Sequence, residues 1–172
     1  MLRNRPSLRR NSYKLMREMR HGSAVAIDGQ AVLIFGPSGS GKSDLALRLI
    51  DRGATLISDD MVGIESTDDY LILSVAPNIA GKIELRGIGI CAVDFISSAP
   101  LRLVVELTQE VDRMPPDDQR AAISNYWIPM VKLDPFQPSS VLKVEWALRS
   151  VIDAGRLPVA KQQTIANEGT GY

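Results

Sequence analysis

The stretch that most constrains this chain is Gly36-Pro37-Ser38-Gly39-Ser40-Gly41-Lys42-Ser43, which satisfies G-x-x-x-x-G-K-[ST]. Small residues let successive backbone N–H groups turn inward around phosphate oxygens, and a helix that starts at the lysine aims its positive end at the same anion. Such a loop works only between a buried strand and a helix, and both flanks fit. Ala31–Gly36 is an apolar run. In SDLALRLIDRG, Leu45, Ala46, Leu49 and Ile50 recur at helical spacing, with Gly53 where a C-terminal cap is expected. A strand–loop–helix unit of this kind implies an α/β domain that binds a nucleotide or polyphosphate. Lys42 is then placed to reach the β- and γ-phosphates, and the Ser43 hydroxyl to bind Mg²⁺.

The rest of the chain supplies elements for one such domain. Ser23–Asp28 reads as a strand forming a hairpin with Ala31–Gly36 through Asp28-Gly29-Gln30. Ala54–Asp60 reads as the next strand. VGIES and YLILSV form a hairpin about Thr67-Asp68-Asp69, and Leu101–Leu107 is a strand. The stretch from Ala76 to Ile90 is read as irregular, and the proline-bearing 110–120 segment as a charged loop. Tyr126–Leu133 is a strand interrupted at Pro129 and therefore expected at a sheet edge. Residues 139–152 have helical spacing. Residues 1–20 carry seven basic side chains against Glu18 alone, and are expected to be a disordered leader; 153–172 are expected to be a disordered tail. The catalytic domain is then 21–152.

With 20 basic and 20 acidic residues the net charge is zero, which gives no bulk field for nucleic acid or membrane. No apolar run approaches the ~20 residues that span a bilayer. The single cysteine, Cys91, excludes an internal disulfide, so a cytoplasmic protein is expected. The guanine-reading N-K-x-D motif of a GTPase does not occur, and neither do the signature loop and Asp-Glu pair of an ABC-type ATPase.

Two adjacent carboxylates, Asp59 and Asp60, end the strand that follows the helix, 17 and 18 residues after Lys42. That places them beside the phosphate loop, on a strand expected next to the loop's own. A carboxylate there can take the proton of an attacking hydroxyl or hold Mg²⁺. Successive strand residues face opposite ways, so the two could divide these tasks. His21, Glu84, Arg86 and Arg113 carry no such assignment from spacing alone.

Over residues 20–150 these features resemble the HPr kinase/phosphorylase family, bacterial enzymes that modify a seryl hydroxyl of the phosphocarrier protein HPr. The resemblance rests on His21-Gly22, GPSGSGKS, DRGATLISDD, IELRGIGI (Ile83–Ile90) and Val111-Asp112-Arg113, in that order. It implies a P-loop nucleotide-binding domain with a mixed sheet, similar to that family's C-terminal catalytic domain. It also implies ATP and Mg²⁺ as cofactors, HPr as partner and a part in regulating the phosphotransferase system. Residue by residue, it makes Asp59 the base towards the target serine, and the acid in a reverse phosphorolysis that releases pyrophosphate. It puts His21 beside that carboxylate, makes Lys42 the loop lysine, Ser43 and Glu84 the Mg²⁺ ligands and Arg113 the stabiliser of the transferring phosphoryl, with Asp60 and Arg86 in support. The chain departs from the family at Asp134-Pro135-Phe136-Gln137-Pro138-Ser139-Ser140, where the basic residues tied to dephosphorylation are absent. The C-terminal helix, linked in the family to oligomer contacts, is short, so a homo-oligomer is left open. Two other readings stand beside the kinase: a catalytically silent nucleotide sensor, and a P-loop kinase for a small metabolite.

Overall fold

The computed structural model describes residues 17–161. Strands β1 (Arg17–His21), β2 (Ser23–Ile27) and β3 (Gln30–Phe35) lead into the glycine-rich loop and helix α1 (Lys42–Asp51). Then come β4 (Thr55–Ser58), β5 (Met61–Ser66) and β6 (Leu71–Val75), followed by a separate two-stranded hairpin of β7 (Lys82–Leu85) and β8 (Gly89–Ala92). The chain continues through β9 (Ser98–Leu107), β10 (Arg120–Ile123), β11 (Tyr126–Leu133), helix α2 (Ser140–Asp153) and β12 (Val159–Ala160).

The main sheet is mixed and branches at β9. Its order runs β1-β5-β6-β9-β3-β2-β4, and β11 joins β9 on the other branch with β10 and β12 beside it. Ten-residue β9 makes this possible. Its first residues pair antiparallel with β6, and its later ones run parallel to both β3 and β11. The C-terminal ends of these three parallel strands thus open on one side, where open α/β sheets place their ligands.

Alternation along the strands fills two cores. From β3, Val32 and Ile34 face α1 and α2, joining Leu45, Leu49, Val105, Val144 and Leu148. Ala31 and Leu33 face the other way, against Ile57, Ile64, Leu73, Val104 and Tyr126. The sheet is therefore covered by helices on one face and by its own curled β5–β6 half on the other. That explains why the β3 run is apolar throughout instead of alternating with polar residues. Each fully buried side chain of this size contributes roughly 1.5–3 kcal/mol.

The expected β2–β3 hairpin turns through Asp28 and Gly29, both at positive φ (49° and 74°), as a two-residue primed turn requires. Helix α1 closes at Gly53 as expected: Gly53 N–H donates to Ile50 O (2.9 Å) and Ala54 N–H to Leu49 O (3.0 Å), satisfying two end carbonyls.

Several expectations are corrected. The stretch read as a leader is strand from Arg17, because Arg17–His21 pairs in full with Met61–Glu65; residues 1–16 lie outside those described. Helix α2 runs to Asp153 and β12 follows, so only 162–172 of the expected tail lies outside. The region read as irregular contains β7–β8, and β10 lies at the end of the charged loop. Strand β11 is continuous through Pro129 instead of being interrupted there, while over Met130–Leu133, with β9 as its one partner, it does lie at the edge of the sheet. It pairs with β10 over Tyr126–Pro129 and with β9 over Met130–Leu133, so the missing N–H falls where the strand changes partners. Finally, β4 is not next to β3: β2 lies between them, antiparallel to both.

Candidate active site

The loop from Gly36 to Ser43 joins β3 to α1, and its conformation depends on Gly41. That residue sits at φ 94° as the helix N-cap, and a Cβ there would lie 3.3 Å from Pro135. Only glycine meets both demands without strain. Lys42 is nearly buried, and its ammonium donates to Gly36 O (3.0 Å) and Pro37 O (2.9 Å), which holds the positive charge inside the curve of the loop.

Asp59 is 4% exposed. The Ser43 hydroxyl donates to its two oxygens at 2.9 and 3.0 Å, the Ser23 hydroxyl to Oδ1 at 2.6 Å, and the Glu84 N–H reaches Oδ2 at 3.3 Å. A buried carboxylate needs such donors. The consequence falls on Ser43. With its proton given to Asp59, its oxygen lone pairs are turned away from the carboxylate and free for a hard cation.

Asp60 goes the other way. It occupies the left-handed region (φ 68°), which aspartate tolerates better than most residues, in the tight turn from β4 to β5. Its side chain is 73% exposed, and Oδ1 lies 2.9 Å from His21 Nε2. The backbone joins this contact: Gly22 N–H donates to Asp60 O (2.9 Å). Three consecutive residues, His21, Gly22 and Ser23, thus hold the acidic pair. Gly22 has no room for a side chain, since a Cβ would stand 2.9 Å from Ile34 O.

The hairpin β7–β8 closes the other side. Ile83 is buried against α1, so Glu84, one residue on, projects outward beside the loop. Arg86, in the hairpin turn, brings a guanidinium nitrogen within 3.9 Å of the position a Cβ on Gly39 would take. His21, Asp60, Lys42, Ser43, Glu84, Arg86 and Phe136 line one cleft of about 580 Å³.

The sequence expectations divide accordingly. Lys42, Ser43, Asp59, Asp60, His21, Glu84 and Arg86 do gather here. The pairing of His21 with Asp59 is corrected, because the left-handed turn at Asp60 swings that residue, not Asp59, onto the histidine. Arg113 is exposed in the 108–119 loop and does not line the cleft. Ser23 was not foreseen, and nothing but its place two residues after His21 could have signalled it. The cleft's oxygen donors, Ser43 Oγ and the carboxylate of Glu84 with Asp59 behind, suit Mg²⁺. Among the described residues no three His, Cys, Asp or Glu side chains form a metal cluster. A cation here would therefore complete its shell with phosphate or water oxygens.

The comparisons with known proteins agree with this architecture. Residues 14–145 match the model of the HPr Serine kinase C-terminal domain. HPr kinase/phosphorylase of Enterococcus faecalis is 37% identical over 126 residues, covering 66% of this chain and 40% of that protein. The Clostridium acetobutylicum protein of the same name is 37% identical over 139 residues, 73% of this chain and 45% of its own length. The chain therefore spans less than half the length of these relatives. The solved Hpr(Ser) kinase/phosphatase from Coxiella burnetii superposes with a TM-score of 0.69 at 27% identity, over 81% of this chain and 99% of that one. With a matched model that spans both the phosphate loop and the His21–Asp60 pair, this chain belongs to the HPr serine kinase C-terminal domain family.

Proposed function

We propose that the chain is an ATP- and Mg²⁺-dependent kinase that phosphorylates a seryl hydroxyl of HPr, with Asp60 rather than Asp59 as the base. The observation that carries this is the division of the acidic pair: Asp59 is buried and saturated by three donors, while Asp60 is exposed to the cleft and held by His21. A base must reach an incoming hydroxyl, and a carboxylate enclosed by Ser23, Ser43 and the Glu84 amide cannot.

In this reading the loop amides and Lys42 hold the β- and γ-phosphates. Ser43 and Glu84 would hold Mg²⁺, which would neutralise phosphate charge. The seryl oxygen bonds to the γ-phosphorus as the bond to the ADP oxygen breaks, and the hydroxyl proton passes to Asp60. His21 fixes the Asp60 rotamer. Arg86 supplies positive charge on the hairpin side, a role that Arg113 could share only from a loop standing outside the cleft. A kinase of this kind would work in the cytoplasm, and no helix among the described residues is long and apolar enough to cross a membrane.

Purified protein incubated with γ-labelled ATP, Mg²⁺ and HPr should place label on a serine of HPr. Nucleotide binding without label would favour a silent sensor, and label on a small molecule would favour a metabolite kinase. The reverse direction is tested by giving the protein phosphoserine-HPr and inorganic phosphate. Pyrophosphate release would extend the activity to phosphorolysis despite the absence of basic residues in 134–140.

A further inference from the structure

The nucleotide reading leaves the base without a partner, and the segment that departs from the family supplies one. We propose that Phe136 is the platform on which the purine base of the nucleoside triphosphate stacks; this rests on the phosphate-loop assignment above. Phe136 is 64% exposed, yet it lines the same cleft as Lys42 and Ser43. Its ring edge would be 3.6 Å from a Cβ on Gly41, so it stands directly beside the N-cap of α1.

The ring sits on a braced loop. Its own N–H donates to Asp134 Oδ1 (3.0 Å), and the Ser140 hydroxyl holds Asp134 O. Arg48 of α1, itself paired with Asp44, donates to Pro135 O (2.5 Å). Pro135 and Pro138 fix two more backbone angles. An exposed phenylalanine is unremarkable by itself. One whose backbone is braced beside the phosphate loop, at the C-terminal end of a strand parallel to the loop's own, presents a π-surface at a fixed place in the cleft.

Polarity across the cleft fixes the direction in which a nucleotide would lie. His21, Asp60, Glu84 and Arg86 occupy the side of β1 and the β7–β8 hairpin, where charged chemistry belongs. Phe136 projects from the segment after β11. A triphosphate in the loop with its γ end towards Asp60 leaves the nucleoside to run towards Phe136. Stacking accepts either purine, because both present a π-face.

The test compares ATP with inorganic tripolyphosphate, which occupies the loop but has no base. For Phe136→Ala, ATP affinity should fall about tenfold or more, while tripolyphosphate affinity stays within about twofold of the parent protein. Phe136→Trp should keep ATP affinity, and its added indole emission should respond to ATP and not to tripolyphosphate. Unchanged ATP affinity in Phe136→Ala, or an equal loss for both ligands, would overturn the platform. A parent protein that binds tripolyphosphate but not ATP overturns it as well and leaves the phosphate loop standing. One that binds neither ligand removes the loop assignment and the platform together.

Discussion

Adjacent aspartates with different surroundings should fail in different ways. Asp60→Asn keeps the left-handed turn, since asparagine also tolerates positive φ, but removes the proposed base. Transfer to HPr should drop roughly 10²- to 10⁴-fold, the usual contribution of a positioned base, with nucleotide affinity within about threefold. Asp59→Asn replaces an acceptor oxygen with an N–H₂ group facing the hydroxyls of Ser23 and Ser43 and the Glu84 amide. It should weaken nucleotide and Mg²⁺ binding and lower thermal stability. Titration calorimetry and a single-turnover assay on both variants separate these outcomes; full turnover in Asp60→Asn would refute its role as base. Ser23→Ala takes one donor from a buried carboxylate. Hydrogen bonds to charged groups are worth ~1.5–3 kcal/mol, so chemical denaturation should show a loss of that order. A loss near zero would mean that water replaces the hydroxyl.

The turn from β1 into β2 concentrates the site in three residues, and its close packing makes it fragile. A methyl group on Gly22 would push against Ile34 O, one residue before the end of β3. Gly22→Ala should therefore cost ~1–3 kcal/mol by overpacking and displace His21 and Ser23 together. A thermal melt and a transfer assay should both report damage, whereas a melt unchanged from the parent would show that the junction relaxes. This junction also marks what sequence can and cannot convey. The phosphate loop, α1 and the β2–β3 hairpin were readable because loop spacing, helical periodicity and turn residues are local signals. The carboxylates were placed beside the loop correctly, although through β2 rather than by direct strand neighbourhood. Their division was not readable, since it comes from one left-handed residue at the end of β4. Strand alternation suggested only that they differ, and the resemblance assigned them the other way round. Hairpin β7–β8 was missed because exposed Ile88 and Ile90 blur its alternation, and Pro129 suggested a break where the strand only changes partners.

Across the whole molecule, the two halves of the branched sheet are tied by Tyr126. Its ring is buried among residues of β2, β3, β5 and β6, while its hydroxyl donates to Thr67 O (3.1 Å) in the β5–β6 turn. Burial first, then the carboxylates of Asp69 and Asp68, push this phenol above its usual value of 10.0. The folded state thus prefers the neutral ring more strongly than the unfolded chain does. For a group whose folded pKa is raised, the stabilisation is complete below the unfolded value and disappears as pH climbs through the folded one. Stability should therefore decline above about pH 10 with a component that belongs to Tyr126 alone. Tyr126→Phe keeps the buried ring and lacks the ionisable group. At pH 8 it should be weaker than the parent by ~1 kcal/mol, the worth of one hydrogen bond. That difference should shrink or reverse as pH rises from 10 to 11.5, because the unfolded parent alone is then a phenolate that must take up a proton to bury its ring. Urea denaturation of both proteins across this range decides the matter. Parallel declines would show that lysine and arginine titration, common to both, sets the alkaline limit, and that the Tyr126 tie between the halves opens to solvent before it ionises.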